Sequence, residues 1–312
     1  MSQENVPLEG GIELPFTVED VLGAVEGMRS SALPENFVQE RDKPRASSVG
    51  KCGRANAYYM AGEPHDEWLS RSWMAYTQEQ GRIMEDLTFG AMEYLGFPVT
   101  GRQVAVPDDF PLTGHPDGDG KEWVTEGLNS EGLVLGVEHK HFGRWEYETL
   151  FKQGLMQGDP FIIVQGLVYA KALGWDASVF FITSQDASSV HSDYTVNKHA
   201  KNPANRWSDK EGWNPKLQII TVDMRPLKLT LWPMIEQRAR WLSKWKREDG
   251  DPKNVARDYD PLRPKKKGEV VEEGAEPAFP CSYCPWYNKC VVDGDGGVQA
   301  PVLPFREGKE YD

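Results

Sequence analysis

The sequence predicts an α/β protein: a central mixed sheet flanked by helices, with a cysteine-rich lobe formed by both chain ends. Three observations carry that expectation. A GHPDGDG turn leads, after a polar loop, into the apolar strand VLGVEHK. The segment FIIVQGLVYAKALG, apolar nearly all round, reads as a buried helix standing between strands. Three of the four cysteines cluster as C-x2-C-x5-C at 281–290, while Cys52 lies far upstream.

At 312 residues the chain is long enough to bury a substantial core. A formal net charge of −13 argues against indiscriminate coating of DNA, which rests on Lys and Arg, but leaves room for a local basic groove. No apolar run is long enough to span a bilayer, and no charged start precedes an apolar block. The expectation is a cytoplasmic protein of a bacterial cell or a phage-infected host. Clustered cysteines in a reducing compartment favour a metal or cluster site over disulfides.

Taken in order, residues 1–45 read as an extension with one helix, Val18 to Met28, capped near Thr17. A single domain is expected over 46–295 and a loose tail over 296–312. Ser47 and Ser48 precede a helix ended by Gly62, with Cys52 near its start. Met84, Leu87, Ala91, Met92 and Leu95 have helical spacing over about 79–94, stopped by Gly96, and Glu85 borders that stripe. A strand pair is expected at about Gln103–Val106 and Leu112–His115, ending at the Asp117 turn. In VLGVEHK, alternation puts Val134, Gly136, Glu138 and Lys140 on one face. Leu133, Leu135, Val137 and His139 take the other, which is the greasier and is expected to meet a core. Asp159-Pro160 opens the buried helix and Gly174 closes it. Ala177–Thr183 and Leu217–Val222 read as strands. The polar insertion 184–216 between them carries His191, Lys198, His199, Lys201, Arg206 and Lys210. Thr230–Arg247 reads as one amphipathic helix with Leu231, Ile235, Leu242 and Trp245 inward and Arg240, Lys244 and Arg247 on another side. A Pro- and charge-rich linker then leads to FPCSYCPWYNKC.

Phosphodiester hydrolysis needs an in-line water and stabilisation of a charged leaving oxygen, and divalent cations held by carboxylates supply both. Asp117 and Glu138 can hold such a cation, and Lys140 can position the water or offset developing charge. Each piece alone also reads as a turn or a solvated strand edge. Asp119 competes with Asp117 for the same role by spacing. Gln165 and Tyr169, four residues apart, share a helical face, and a buried amide there needs a polar partner. The four cysteines suit tetrahedral zinc or an iron–sulfur cube. The basic residues of 184–216, the Arg240, Lys244, Arg247 stripe and some of the eleven tryptophans are candidates for phosphate contact and base stacking; solvated faces and core tryptophans are the commoner outcome.

In order, GRIME, GHPD, EHK, QGLVY and Cys52 with CSYCPWYNKC resemble the RecB-like branch of the PD-(D/E)XK nucleases. The likeness is greatest to the iron–sulfur exonucleases of CRISPR adaptation and the nuclease domain of AddB, and it covers about 47–290. CGRANAYY is similar to that branch's Cys-Pro-Arg-x-x-Tyr opening, with Gly53 in place of the proline. The resemblance implies a PD-(D/E)XK, restriction-endonuclease-like core. It implies Asp117 and Glu138 as metal ligands with the His139 backbone carbonyl as a third, and Lys140 as the catalytic lysine. Gln165 and Tyr169 would shape the site, and Cys52, Cys281, Cys284 and Cys290 would bind a [4Fe–4S] cluster, with Zn2+ as the alternative. At Glu85, the fourth metal candidate, many members carry histidine; glutamate is closer to the phage lambda-exonuclease branch. That leaves the cation as Mg2+ or Mn2+ and fits a role in recombination, repair or phage DNA processing. The implied function is a metal-dependent DNA exonuclease. The alternatives are an inactive DNA-binding or recombination adaptor and an endonuclease with structural zinc. Implied partners are DNA, recombination or CRISPR-adaptation proteins and a second copy of the chain, with no membrane.

Overall fold

The computed structural model describes residues 42–63, 71–120, 133–184, 217–246, 250–259, 281, 284–294 and 296–304. The chain divides into two compact units, Met1–Gln39 with Glu67–Gln80, and Glu40–Asp66 with Gly81–Asp312. Of the first, the described part is the opening of a long helix. Everything below concerns the second. The expected helix at 18–28, the basic insertion over 185–216, Arg247 and the linker over 261–280 lie outside the described residues.

The fold is α/β, a four-stranded mixed open sheet flanked by helices. Its strands are β1 (Gly118–Asp119), β2 (Leu135–Phe142), β3 (Ala177–Ser184) and β4 (Leu217–Asp223), side by side in that order. β2 and β3 are parallel, with Glu138 opposite Phe180; β1 and β4 run antiparallel to their neighbours. The helices are α1 (Gly53–Ala61), α2 (Arg71–Tyr94), α3 (Arg144–Gln153), α4 (Leu155–Gly158), α5 (Pro160–Leu173), α6 (Arg225–Thr230), α7 (Trp232–Leu242) and α8 (Tyr287–Val292). Helices α3 to α5 form the crossover that a parallel β2–β3 pair requires. No described helix is long and apolar enough to cross a membrane.

Punctuation by glycine and proline sets most boundaries. Gly62 (φ 69°) and Gly174 (φ 78°) end α1 and α5 in the left-handed region, and the Asp159 side chain accepts the Phe161 N–H to start α5. The expected strand pair at 103–106 and 112–115 is not formed. Only isolated hydrogen bonds link the segments, from the Gln103 N–H to the Pro116 carbonyl and from the Val106 N–H to the Gly114 carbonyl, both 3.0 Å. Pro107, Pro111 and Pro116 remove three donors from that stretch, so a ladder cannot propagate. The helix expected over 230–247 is the shorter α7 followed by a 3-10 turn at Ser243–Trp245, with a separate short helix, α6, ahead of it; α6 and α7 each carry a proline in the first turn. Leu231, Ile235 and Leu242 do face inward, whereas Trp245 is only half-buried.

Both sheet faces are covered: the Leu135 and Val137 face meets a core as expected, and a larger core lies on the opposite face. Phe180 and Ile182 of β3 pack there with Ile162, Ile163, Val164, Leu167 and Val168 of α5, and with Ile235, Ala239 and Leu242 of α7. Burying five such α5 side chains contributes on the order of 10 kcal/mol, enough to hold the helix on a sheet face that also buries a carboxylate. The face carrying Leu135 and Val137 meets a smaller cluster with Phe89, Val179 and Phe181. The larger core reaches β2 at Gly136. A Cβ there would overlap the Trp175 indole, so the missing side chain admits a fully buried tryptophan. The described end of the chain, 296–304, is no loose tail: Ala300 and Leu303 are buried, and Val298 bridges Val255.

Candidate active site

Glu138 and Lys140 point from β2 into the larger core, beneath α5. The helix can come this close because a Cβ on Gly166 would lie 2.7 Å from Phe180 Cζ. One residue earlier, Gln165 reaches down, and its Nε2 donates to Glu138 Oε2 at 3.3 Å and to the Tyr169 hydroxyl at 3.4 Å. On the far side of that ring, a Cβ on Gly114 would come within 2.8 Å of the Tyr169 hydroxyl. The turn bearing Asp117 therefore closes over the tyrosine.

Asp117 enters from the β1 edge. Gly118 pairs with Val137, so continuing the antiparallel register by two residues would set Pro116 opposite His139. Proline has no N–H to give the His139 carbonyl, and the ladder stops there. In place of a backbone acceptor, the Asp117 carboxylate takes the His139 N–H at 2.7 Å. Lys140 Nζ then lies 3.7 Å from Asp117 Oδ2 and 2.8 Å from Glu138 Oε2. Asp117, Glu138, Lys140, Gln165 and Tyr169 are thus brought together. Asp119 is not among them. It is buried, with its Oδ1 accepting from Thr100 Oγ1 at 2.7 Å and its backbone paired with Thr100 in both directions. Spacing left Asp117 and Asp119 as rivals; position along the β1 edge separates them, since Asp119 is opposite Gly136 and takes the Thr100 hydroxyl while Asp117 takes the His139 N–H.

Glu138 has no solvent exposure, and its Oε1 has no hydrogen-bond partner among the described residues. Burial pushes its carboxyl up to about 8, and the charged Lys140 amine opposes that shift. Burial disfavours the Lys140 ammonium, but the Glu138 and Asp117 carboxylates outweigh it and hold the amine above the usual lysine range. Tyr169 is also raised, by burial and by the nearby Glu138 charge, and stays a neutral phenol. The His139 ring is on the opposite face, edge-on to Phe89 with centroids 6.3 Å apart and its Nε2 3.2 Å from Thr183 Oγ1. Burial lowers it to about 3, so it is neutral. Only the backbone of His139 borders the carboxylates.

Glu85 lies on α2, where burial first and the Asp117 charge second raise its carboxyl. It is bound by a residue for which the sequence carried no motif: Arg102 Nη2 is 2.7 Å from Glu85 Oε1 and 2.8 Å from Asp86 Oδ1. Among the described residues, no group of three or more His, Cys, Asp or Glu is arranged so that it could hold a metal ion. Asp117 and Glu138 have the right donor chemistry for an oxygen-seeking cation, and the orphaned Glu138 oxygen adds to it. The third carboxylate is engaged by Arg102.

The four cysteines share one neighbourhood. Cys52 caps α1, while the Cys284 N–H bonds the Cys281 carbonyl and the Cys290 N–H bonds the Trp286 carbonyl. Burial pushes the Cys284 thiol up to about 12, and the Cys52, Cys290 and Cys281 sulfurs add to that shift. Burial also raises Cys290, against which Arg257 and Arg54 pull. Four cysteine sulfurs beside two guanidinium groups have the donor chemistry of a thiolate-binding centre, although among the described residues they are not arranged, as they stand, to hold a metal ion.

Two fully buried arginines hold this lobe, and neither was anticipated. Arg54 donates to the carbonyls of Val255, Gly294, Lys253 and Gly296 at 2.6–3.0 Å. Arg238 donates to those of Val49, Lys51 and Pro301 at 2.5–2.7 Å and to Asp258 at 3.2 Å. For Arg54 the clue lay in CGRANAYY, where an arginine is the second residue of a mostly buried helix. Arg240, a candidate for phosphate contact, is exposed and paired with Glu236. No family model matches the chain, and neither a curated protein nor a solved structure matches it.

Proposed function

We propose that the chain is a divalent-cation-dependent deoxyribonuclease of the PD-(D/E)XK kind, acting by hydrolysis and as an exonuclease. The observation that carries the reading is the meeting of Asp117 from one segment with Glu138 and Lys140 from another, around a buried carboxylate whose Oε1 has no hydrogen-bond partner among the described residues. Asp117 and Glu138, with the His139 carbonyl at the end of the β1 ladder, would hold Mg2+ or Mn2+. The cation supplies positive charge against the diester and Lewis acidity toward water.

The chain's own groups define the remaining roles. Gln165 and Tyr169 orient Glu138. Lys140, kept charged by its carboxylates, acts as a hydrogen-bond donor and not as a base. As the water oxygen bonds phosphorus and the bond to the leaving oxygen breaks, that ammonium offsets the accumulating charge. The four cysteines would bind a [4Fe–4S] cluster, or zinc in the alternative, as a structural element away from the carboxylates.

One observation favours the adaptor reading: Lys140 and Arg102, cations of the chain itself, already engage Asp117, Glu138 and Glu85. A time course on end-labelled single- and double-stranded DNA with Mg2+ or Mn2+, beside Lys140→Ala, separates the two. A nuclease shortens the label and the variant does not. Binding without cutting by the unaltered protein is the adaptor's result.

A further inference from the structure

The loop that follows α2 is built to present Arg102. The Thr100 N–H bonds the Asp119 carbonyl at 2.9 Å and the Asp119 N–H returns to Thr100 at 2.7 Å. Gly101 (φ 57°) presses against the Asp119 carboxylate, where a Cβ would come within 3.1 Å of Cγ. Gln103 also takes a left-handed φ of 56°, rare for a residue with a side chain, and its N–H bonds Pro116. The loop is therefore fastened to the turn that carries Asp117. The Arg102 guanidinium lies over the Phe89 ring, 5.1 Å from its centroid, and both of its contacts with Glu85 and Asp86 use Nη2. Its side chain is 39% exposed, against 16% for Glu85. A guanidinium has five donors, so most of this fork is available to a second acceptor.

We infer that Arg102 is a latch on Glu85, occupying that carboxylate beside Asp117 until a nucleic-acid phosphate draws the guanidinium off. The inference rests on the nuclease reading and adds to it a positioning residue and an order of events. A second observation points to a ligand on the other side of Asp117, the fully buried Oε1 of Glu138 with no hydrogen-bond partner among the described residues. Magnitudes suit a latch. An ion pair this exposed biases an equilibrium by no more than about five- to tenfold. A diester phosphate, which takes two parallel N–H donors, competes with it successfully. A pair as buried as Lys140–Glu138 would not yield so readily. Once Arg102 turns to the phosphate, Glu85 is released beside Asp117, and three carboxylates replace two.

The test is Mn2+ affinity, read by electron paramagnetic resonance of free Mn2+, with and without a hydrolysis-resistant phosphorothioate oligonucleotide. In the unaltered protein the oligonucleotide should tighten Mn2+ binding about five- to tenfold. Arg102→Gln should bind Mn2+ more tightly by that factor without oligonucleotide, and gain nothing further from it. Should the glutamine variant fail to fold, Arg102→Lys, which keeps charge but loses the fork, should move the same way by less. Unchanged or weaker affinity in the Arg102 variants overturns the latch, as does an oligonucleotide effect that persists in them. If Mn2+ binds through Asp117 and DNA is cut while Arg102 is indifferent, the latch alone falls. If no Asp117-dependent Mn2+ binding exists in any of these proteins, the nuclease reading falls with it.

Discussion

Asp117 accepts the backbone N–H of His139 at 2.7 Å, so a side chain takes the place of a rung in the ladder between β1 and β2. The carboxylate is thereby locked beside Glu138 without using its second oxygen. Asp117→Asn keeps an acceptor for that N–H but removes the charge. The expected outcome is a change in unfolding free energy within about 1 kcal/mol, together with loss of Mn2+ binding and DNA cleavage. Urea titration and Mn2+ titration on the same preparation check it.

Lys140→Ala removes the only cation in hydrogen-bond contact with Glu138 among the described residues. Cleavage should fall about 10²–10³-fold, the usual cost of one preorganised donor in a transition state. DNA affinity, measured by anisotropy in Ca2+, should change much less.

Glu138 ties stability to pH. Its folded-state carboxyl is raised to about 8, so between the ordinary carboxylate range and that value the folded chain binds a proton the unfolded chain has released. Stability should therefore fall as pH rises through this window, by at most ~1.4 kcal/mol per pH unit. Glu138→Gln should flatten the slope. Urea midpoints from about pH 5 to about 8, in chelator, read it directly, and a steeper decline in the glutamine variant would contradict the assignment.

Gly136 and Trp175 form a size-matched pair. Gly136→Ala should cost about 1–3 kcal/mol through overpacking. Because the two residues touch, Trp175→Leu should recover part of that loss in a double-mutant cycle.

The sulfur lobe is tested by colour and metal content. Anaerobically prepared protein should be brown and contain iron, and Cys284→Ser should lose both. A colourless protein with stoichiometric zinc selects the zinc alternative.

What could be read in the sequence was whatever follows a short period. Glu138 and Lys140 share a face because strands repeat every two residues, and Gln165 and Tyr169 stack because helices return after four. The terminators Gly62, Gly96 and Gly174 likewise announced themselves. Relations set by tertiary fit were not legible. The apolar set Leu135 and Val137 announced one core, but the larger one on the opposite face was not legible, since it depends on a bare Gly136 admitting a distant tryptophan. Asp117 and Asp119, two apart, share a face by strand period, and only their tertiary partners, the His139 N–H and the Thr100 hydroxyl, tell them apart. Arg102 had no motif, because its meaning comes from where Thr100 and Asp119 fasten the loop. Arg54 and Arg238 look like surface residues until the carbonyls they gather are seen.

Those two guanidinium groups bear on how the protein can be shortened. The DGDGGV stretch after the last cysteine invites removal as a dispensable flexible end, yet Gly294 and Gly296 are two of the four oxygens around Arg54. A version trimmed just past Cys290 would strand a charge in the interior with half its cage gone. It would come apart at the opposite end of the chain, where Cys52 and α1 depend on that anchorage.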